Sequence, residues 1–210
     1  MRLRIKFQKR KEIIYTSALD LQKIWERSLR RACLEVKHSE GFHPQPKMQL
    51  AVPLPVGFEG RAELIDIWFS EIIPGNEVQT RMKNNLPEGI EILSIEEIPE
   101  NQKALNGLAE SAEFEVTIND PGLNFPNLKE SMDSLLMQEK IERERNRKRY
   151  DLRPLILSIN LSKSKDSRII FYMKLLARSG ATGRPDEVIK ELGIDPASCA
   201  FVRTSINFNL

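Results

Sequence analysis

Arg2-Leu3-Arg4-Ile5-Lys6-Phe7 alternates cationic with apolar side chains at a period of two, the pattern of a half-buried strand. One face is expected to join a core and the other to be cationic. Working outward, Ser17-Ala-Leu-Asp20 has capping-box spacing and opens an amphipathic helix to about Ala32, with Leu21, Ile24, Trp25, Ser28, Leu29 and Ala32 on one side. Gly41-Phe-His-Pro-Gln-Pro-Lys47 and Pro53-Leu-Pro-Val-Gly57 flank a strand near Met48 to Val52. Their alternating prolines favour extended backbone and predict an ordered loop. A strand over 62–69, a short helix from Asn76 to Leu86 and a strand over 90–95 complete the order β-α-β-β-α-β.

The same order is readable in the second half. Phe114 to Ile118 reads as a strand, and Asn127 to Met137 as a helix facing Leu128, Met132, Leu135 and Leu136 inward. Ile141 to Arg145 begins an inserted hairpin. Leu155, Leu157, Ile159 and Leu161 alternate and are expected to point into a core. A Lys/Ser/Asp turn then leads to an apolar strand over 169–177. Pro185 and Gly193 bracket a helix, and Val202, Thr204, Ile206 and Phe208 share one face of a last strand. The fold expected is α+β, two tandem ferredoxin-like β-α-β-β-α-β units over residues 1–98 and 108–210, joined by a polar linker at 99–107.

Composition narrows the class of protein. Of 210 residues, 40% are apolar and 30% charged, as in folded globular chains. No window reaches the roughly 18 apolar residues of a membrane span, and the first residues lack the apolar core of a signal peptide, so a cytoplasmic location is expected. Cys33 and Cys199 lie in no Cys-x-x-Cys spacing and are expected to be buried free thiols, with neither metal nor cofactor. The net charge of +2 conceals a partition: residues 1–58 carry +7, 59–142 carry −12 and 143–210 carry +7. Local fields of this kind, more than net charge, attract a polyanion.

Three sets of residues are candidates for such contact. Lys23, Arg27, Arg30 and Arg31 fall largely outside the apolar stripe of the first helix. Arg143, Arg145, Arg147, Lys148 and Arg149 crowd the inserted hairpin, where guanidinium forks suit phosphates and Tyr150 offers a ring for an unpaired base. The alternative for these cations is a solvated, internally neutralised surface. In the proline loop, His43 and Lys47 are placed to donate to a phosphate. His43 with Tyr15 also has the residue types for metal-independent RNA cleavage, although no complete set of nucleophile, base and acid emerges.

Several strings, taken in order, carry a resemblance: Leu19-Asp-Leu21, Trp25-Glu-Arg-Ser-Leu-Arg-Arg-Ala32, Gly41 to Lys47, Pro53 to Gly57, Asp151-Leu-Arg-Pro154 and Gly183-Arg-Pro-Asp-Glu-Val188. Together they resemble the bacterial radical SAM-associated family, whose function is unknown and whose members are fused to, or encoded beside, a radical S-adenosylmethionine enzyme. Two positions depart from its pattern. Ala18 stands where a histidine is common, and His43-Pro-Gln-Pro-Lys47 where Asn-Pro-His-Pro-Lys is frequent. The resemblance implies a non-catalytic accessory module that partners a radical SAM enzyme, and the charge partition adds RNA. The other readings are a ribonuclease or small-substrate enzyme centred on Gly41–Lys47, and a protein–protein adaptor using the acidic 59–142 segment.

Overall fold

The computed structural model describes residues 1–119, 124–145, 147–164 and 168–209. Helices and strands mix in an α+β chain that divides into two compact units, Met1–Ala109 and Glu110–Asn209. The first contains β1 (Arg2–Lys9), α1 (Ala18–Arg31), β2 (Met48–Leu50), β3 (Glu59–Trp68), α2 (Gly75–Lys83), β4 (Ile90–Ile98) and the short α3 (Leu105–Leu108). β1 pairs with both β3 and β4, and β2 extends the far side of β3, every pair antiparallel. Ser17 caps α1 by accepting a bond from the Asp20 amide at 3.2 Å while its hydroxyl donates to Asp20 Oδ2 at 2.7 Å. The apolar stripe of α1 then places Leu21, Trp25 and Leu29 over Leu3, Ile5 and Phe7 of β1 and Ile65 and Ile67 of β3, joined by Val78 and Met82 of α2. Trp25 meets Phe7 edge to face at 5.1 Å.

The other face of β1 departs from expectation. Its cations do not all look into solvent, because the β1–β3 register sets Asp66 opposite Arg4 and Trp68 opposite Arg2. Asp66 is fully buried and accepts from both arginines. Arg2 gives Nε at 3.0 Å and Nη2 at 2.5 Å, and Arg4 gives Nε at 2.9 Å and Nη2 at 3.1 Å. Arg2 spends its remaining donors on the carbonyls of Gln102 (2.7 Å) and Lys103 (3.1 Å), and its guanidinium lies 4.8 Å from the Trp68 ring centre. Residues 99–107, read as a linker, are thereby fastened to the first unit. The Leu105 amide donates to Gln49 Oε1 at 3.0 Å, and Leu105 and Leu108 are buried.

The second unit contains β5 (Ala109–Ile118), α4 (Phe125–Met137), β6 (Glu142–Arg145), β7 (Lys148–Asp151), β8 (Ile156–Lys163), β9 (Ile169–Arg178), β10 (Ala181–Thr182), α5 (Pro185–Glu191) and β11 (Cys199–Phe208). β5 lies between β9 and β11, β8 and β10 pair with β9, and β6 with β7 forms a separate hairpin. Residues 165–167 of the expected Lys/Ser/Asp turn lie outside the described residues. Buried side chains come from α4 (Leu128, Met132, Leu135), α5 (Val188, Ile189), β5 (Phe114, Val116) and β9 (Phe171, Met173, Leu175). The expected inward set Leu155, Leu157, Ile159 and Leu161 is corrected. An irregularity in the β8–β9 register between Ile156 and Ser158 breaks the alternation, so Leu155, Ile156 and Ile159 are buried and Leu157 is exposed.

Two of the family-like strings have structural work here. Asp151 Oδ1 accepts from the amides of Ile141 (2.8 Å) and Arg153 (3.0 Å), and Arg153 donates Nε and Nη2 to the Leu136 carbonyl at the end of α4. Gly183 packs so closely on Leu155 that a Cβ there would lie 3.0 Å from the Leu155 carbonyl oxygen.

Because Asp66 is a buried carboxylate held between two sequestered guanidinium groups, Asp66→Asn should lower the unfolding free energy by about 3–5 kcal/mol, the usual cost of breaking a buried pair. Urea unfolding monitored by tryptophan fluorescence measures it. A loss under about 1 kcal/mol would mean that the network contributes no more than an exposed pair.

Candidate functional site

On α1, Lys23, Arg27 and Arg30 are exposed and make no ion pair among the described residues. Arg31 differs: its guanidinium donates to Ser28 Oγ at 3.2 Å and to the Asn85 carbonyl at 2.5 Å, closing α1 onto the end of α2. The chain that follows forms a narrow ordered loop. Lys37 N donates to Trp68 O at 2.7 Å, Lys47 N to Lys37 O at 2.7 Å and Ser39 N to Gln45 O at 2.8 Å, and His38 bridges to Pro46. Gly41, at φ +134°, turns the tip, which exposes His43 and leaves Phe42 fully uncovered. Lys47 is drawn back, its Nζ 4.9 Å from the Trp68 ring centre. At the loop's base Lys37 pairs with Glu100 at 2.9 Å, and that bond first of all holds the Glu100 carboxyl below its usual range.

Between α1 and this loop runs a groove that sequence reasoning missed. Its wider part, about 500 Å³, is floored by Leu29, Leu34, Val36 and Met48 and edged by Glu26, Arg30, Glu35, His38 and Ser70. It continues past Glu26, Pro46 and Met48 to Leu19, Gln22 and Lys23. The available signal was Leu19, an apolar residue outside the buried stripe of α1, which is indeed exposed. Cys33 also reaches this groove. Expected to be buried, it is exposed, because it follows the α1 C-cap at φ +53° and so leaves the helix's apolar side. Cys199 is half-exposed, with burial raising its thiol pKa.

In the second unit the basic hairpin is partly spoken for. Arg143 pairs with Glu191 at 2.7 Å and Arg145 with Glu187 at 3.7 Å, while the Tyr150 hydroxyl donates to Glu187 Oε2. The Arg145 guanidinium lies 5.5 Å from the Tyr150 ring centre, so the ring proposed for stacking is already engaged. Arg149 reaches Glu144 only at 3.8 Å and is highly exposed; Arg147 and Lys148 are exposed at the turn, with Arg147 at φ +63°. The α5 carboxylates therefore neutralise the two arginines of β6 and leave Arg147 and Lys148 at the turn cationic.

Among the described residues no catalytic constellation assembles around His43. Among the described residues neither His43 nor Tyr15 has a hydrogen-bond or ion-pair partner, and no group of three or more His, Cys, Asp or Glu side chains could hold a metal. No helix among the described residues is long and apolar enough to cross a membrane.

The sequence profile described as "Uncharacterized protein conserved in bacteria (DUF2344)" matches residues 2–185, and the chain belongs to that family. No curated protein matches. Among solved structures, a chain of a Cbf5-Nop10-Gar1 complex is similar at a TM-score of 0.54 and 10% identity, over 97% of this chain and 48% of that one. The present chain thus spans about half the length of that neighbour, and the likeness is one of fold. A structure described as a candidate glycine cleavage system transcriptional repressor matches at 10% identity over 99% of this chain and 98% of its own, with a TM-score of 0.25 that carries no argument.

The Tyr150–Glu187 bond has a pH signature. Burial first, then the bond to Glu187, raises the Tyr150 pKa above its ordinary value of 10.0. The folded chain then holds this proton longer than the unfolded chain, so the contribution is complete below pH 10 and is lost as pH rises above it. Tyr150→Phe should cost about 1 kcal/mol at pH 8. The gap from wild type should narrow between pH 10 and 11, read from urea midpoints; a gap independent of pH would contradict the bond.

Proposed function

We propose that this chain is a non-catalytic accessory module that holds single-stranded RNA for a radical SAM enzyme, with α1 and the 37–47 loop as its contact surface. The observation that carries the reading is a contrast in how cations are used. Arg2 and Arg4 are consumed by Asp66, and Arg143 and Arg145 by α5, yet Lys23, Arg27 and Arg30 stand exposed without ion pairs. Charged side chains left unpaired on one helix face, beside an exposed aromatic at a loop tip, supply phosphate contacts and a stacking surface together. Arg147, Lys148 and Arg149 at the hairpin tip are a secondary phosphate contact, and His43 and Lys47 border the loop.

The enzyme partner rests on the family resemblance of the strings between Leu19 and Val188. Having only Cys33 and Cys199, this chain has no cysteine triplet for the cluster of such an enzyme, so turnover belongs to the partner. In fold, each unit reads as ferredoxin-like: the strand orders β4-β1-β3-β2 and β11-β5-β9-β8, with helices after the first and third strands, support this.

Replacing Lys23, Arg27 and Arg30 together by Gln tests the surface. On a single strand each lost phosphate contact lowers the log–log salt slope by roughly 0.7, so the triple variant should lose about 2 in slope and bind weakly at low salt. Fluorescence anisotropy with a labelled RNA dodecamer reads both. An unchanged slope and affinity, with circular dichroism unaltered, would reject α1 as the polyanion surface.

A further inference from the structure

We infer that the groove between α1 and the 37–47 loop is a pocket for one unstacked base of that RNA; the inference rests on the RNA reading and specifies its ligand. At about 500 Å³ the wider part has the size of a small-molecule site, and its floor of Leu29, Leu34, Val36 and Met48 offers the apolar surface on which a base replaces stacking. Cations stand on the helix lip. Arg30 edges the wide part and Lys23 the narrow part, with Arg27 between them in sequence, so a backbone following α1 meets a phosphate donor along its course.

Along α1, Leu19 to Arg31 spans about 18 Å at 1.5 Å per residue, room for several nucleotides of backbone beside the one pocketed base. Glu26 supplies the chemistry that distinguishes a base from a plain anion. Half-buried where the two parts of the groove meet, it has no hydrogen bond or ion pair among the described residues, and as a carboxylate it only accepts. An amino or imino N–H on a base edge satisfies it, whereas a bare phosphate or an acidic peptide is repelled. With Glu35 a second carboxylate on the rim of the wide part, the lining favours the N–H edge of a base over an acidic protein segment as its occupant.

Two measurements on the full chain test the pocket, using single-stranded RNA hexamers of each base as probes. Ser70 is exposed at the groove's edge, so Ser70→Trp fills the space with little demand on the core. It should weaken hexamer binding by about tenfold while leaving the salt slope intact, since it removes a base site and no phosphate contact. Independently, bound hexamer should slow alkylation of Cys33 by about tenfold or more at saturation, with Cys199 as internal reference in the mass spectrum. Glu26→Gln should shift the ranking of the four hexamers. If hexamers bind but neither Ser70→Trp nor Cys33 protection responds, the pocket is overturned and the RNA reading stands. If poly-glutamate protects Cys33 as well as RNA does, the base assignment is overturned. If no hexamer binds at all, the RNA reading falls and the pocket with it.

Discussion

A single carboxylate, that of Asp66, sits between the guanidinium groups of Arg2 and Arg4 with no exposure of its own. Burying three ionised groups is tolerable only when their donors and acceptors are filled, and here the four bonds to Asp66 and the two from Arg2 to backbone carbonyls do so. The arrangement fixes β1 against β3 in a register where a slip of one residue would move Leu3, Ile5 and Phe7 off the core face. It also ties the 99–105 stretch beneath the sheet. Everything on the opposite face follows: α1 rests on the β1–β3 core, and the 37–47 loop is anchored through Lys37 and Lys47 to Trp68, the residue beside Arg2 in the same register.

The same electrostatic logic separates cations that build the fold from cations left unpaired at the surface. Paired arginines lose the capacity to meet phosphate unless a carboxylate is displaced, and the exchange returns little energy. At β1 this removes Arg2 and Arg4, and at the hairpin Glu187 and Glu191 hold Arg143 and Arg145. On α1, among the described residues, no carboxylate pairs with Lys23, Arg27 or Arg30: Glu26 lies on the groove side and remains unpaired. Charge counted along the sequence treats these cations alike, but their surroundings do not.

That difference sets how far the chain could be read from residues alone. The period-two strand at Arg2–Phe7, the capped helix after Ser17 and the inserted hairpin were legible because each depends on local spacing. The burial of Arg2 was not, since its partner lies 64 residues away and its cover 100. Leu157 was misplaced by a register irregularity, and Cys33 by a left-handed residue just past a helix end; neither leaves a mark in hydrophobic periodicity. Lys23, Arg27 and Arg30 were legible as a charged face. The groove beside them was not, because its floor joins a helix to Val36 and Met48 of a later loop and strand.

The central claim is that the unpaired face of α1 and the adjoining loop, not the carboxylate-held hairpin, receives the RNA. Photo-crosslinking the full chain to a 4-thiouridine-bearing single strand, followed by peptide mapping, addresses it directly. The account predicts dominant crosslinks on peptides from residues 18–47, with Phe42 or the groove lining among the modified residues, and at most minor crosslinks at Arg147–Arg149. Crosslinks confined to residues 142–153, with none on 18–47, would contradict it.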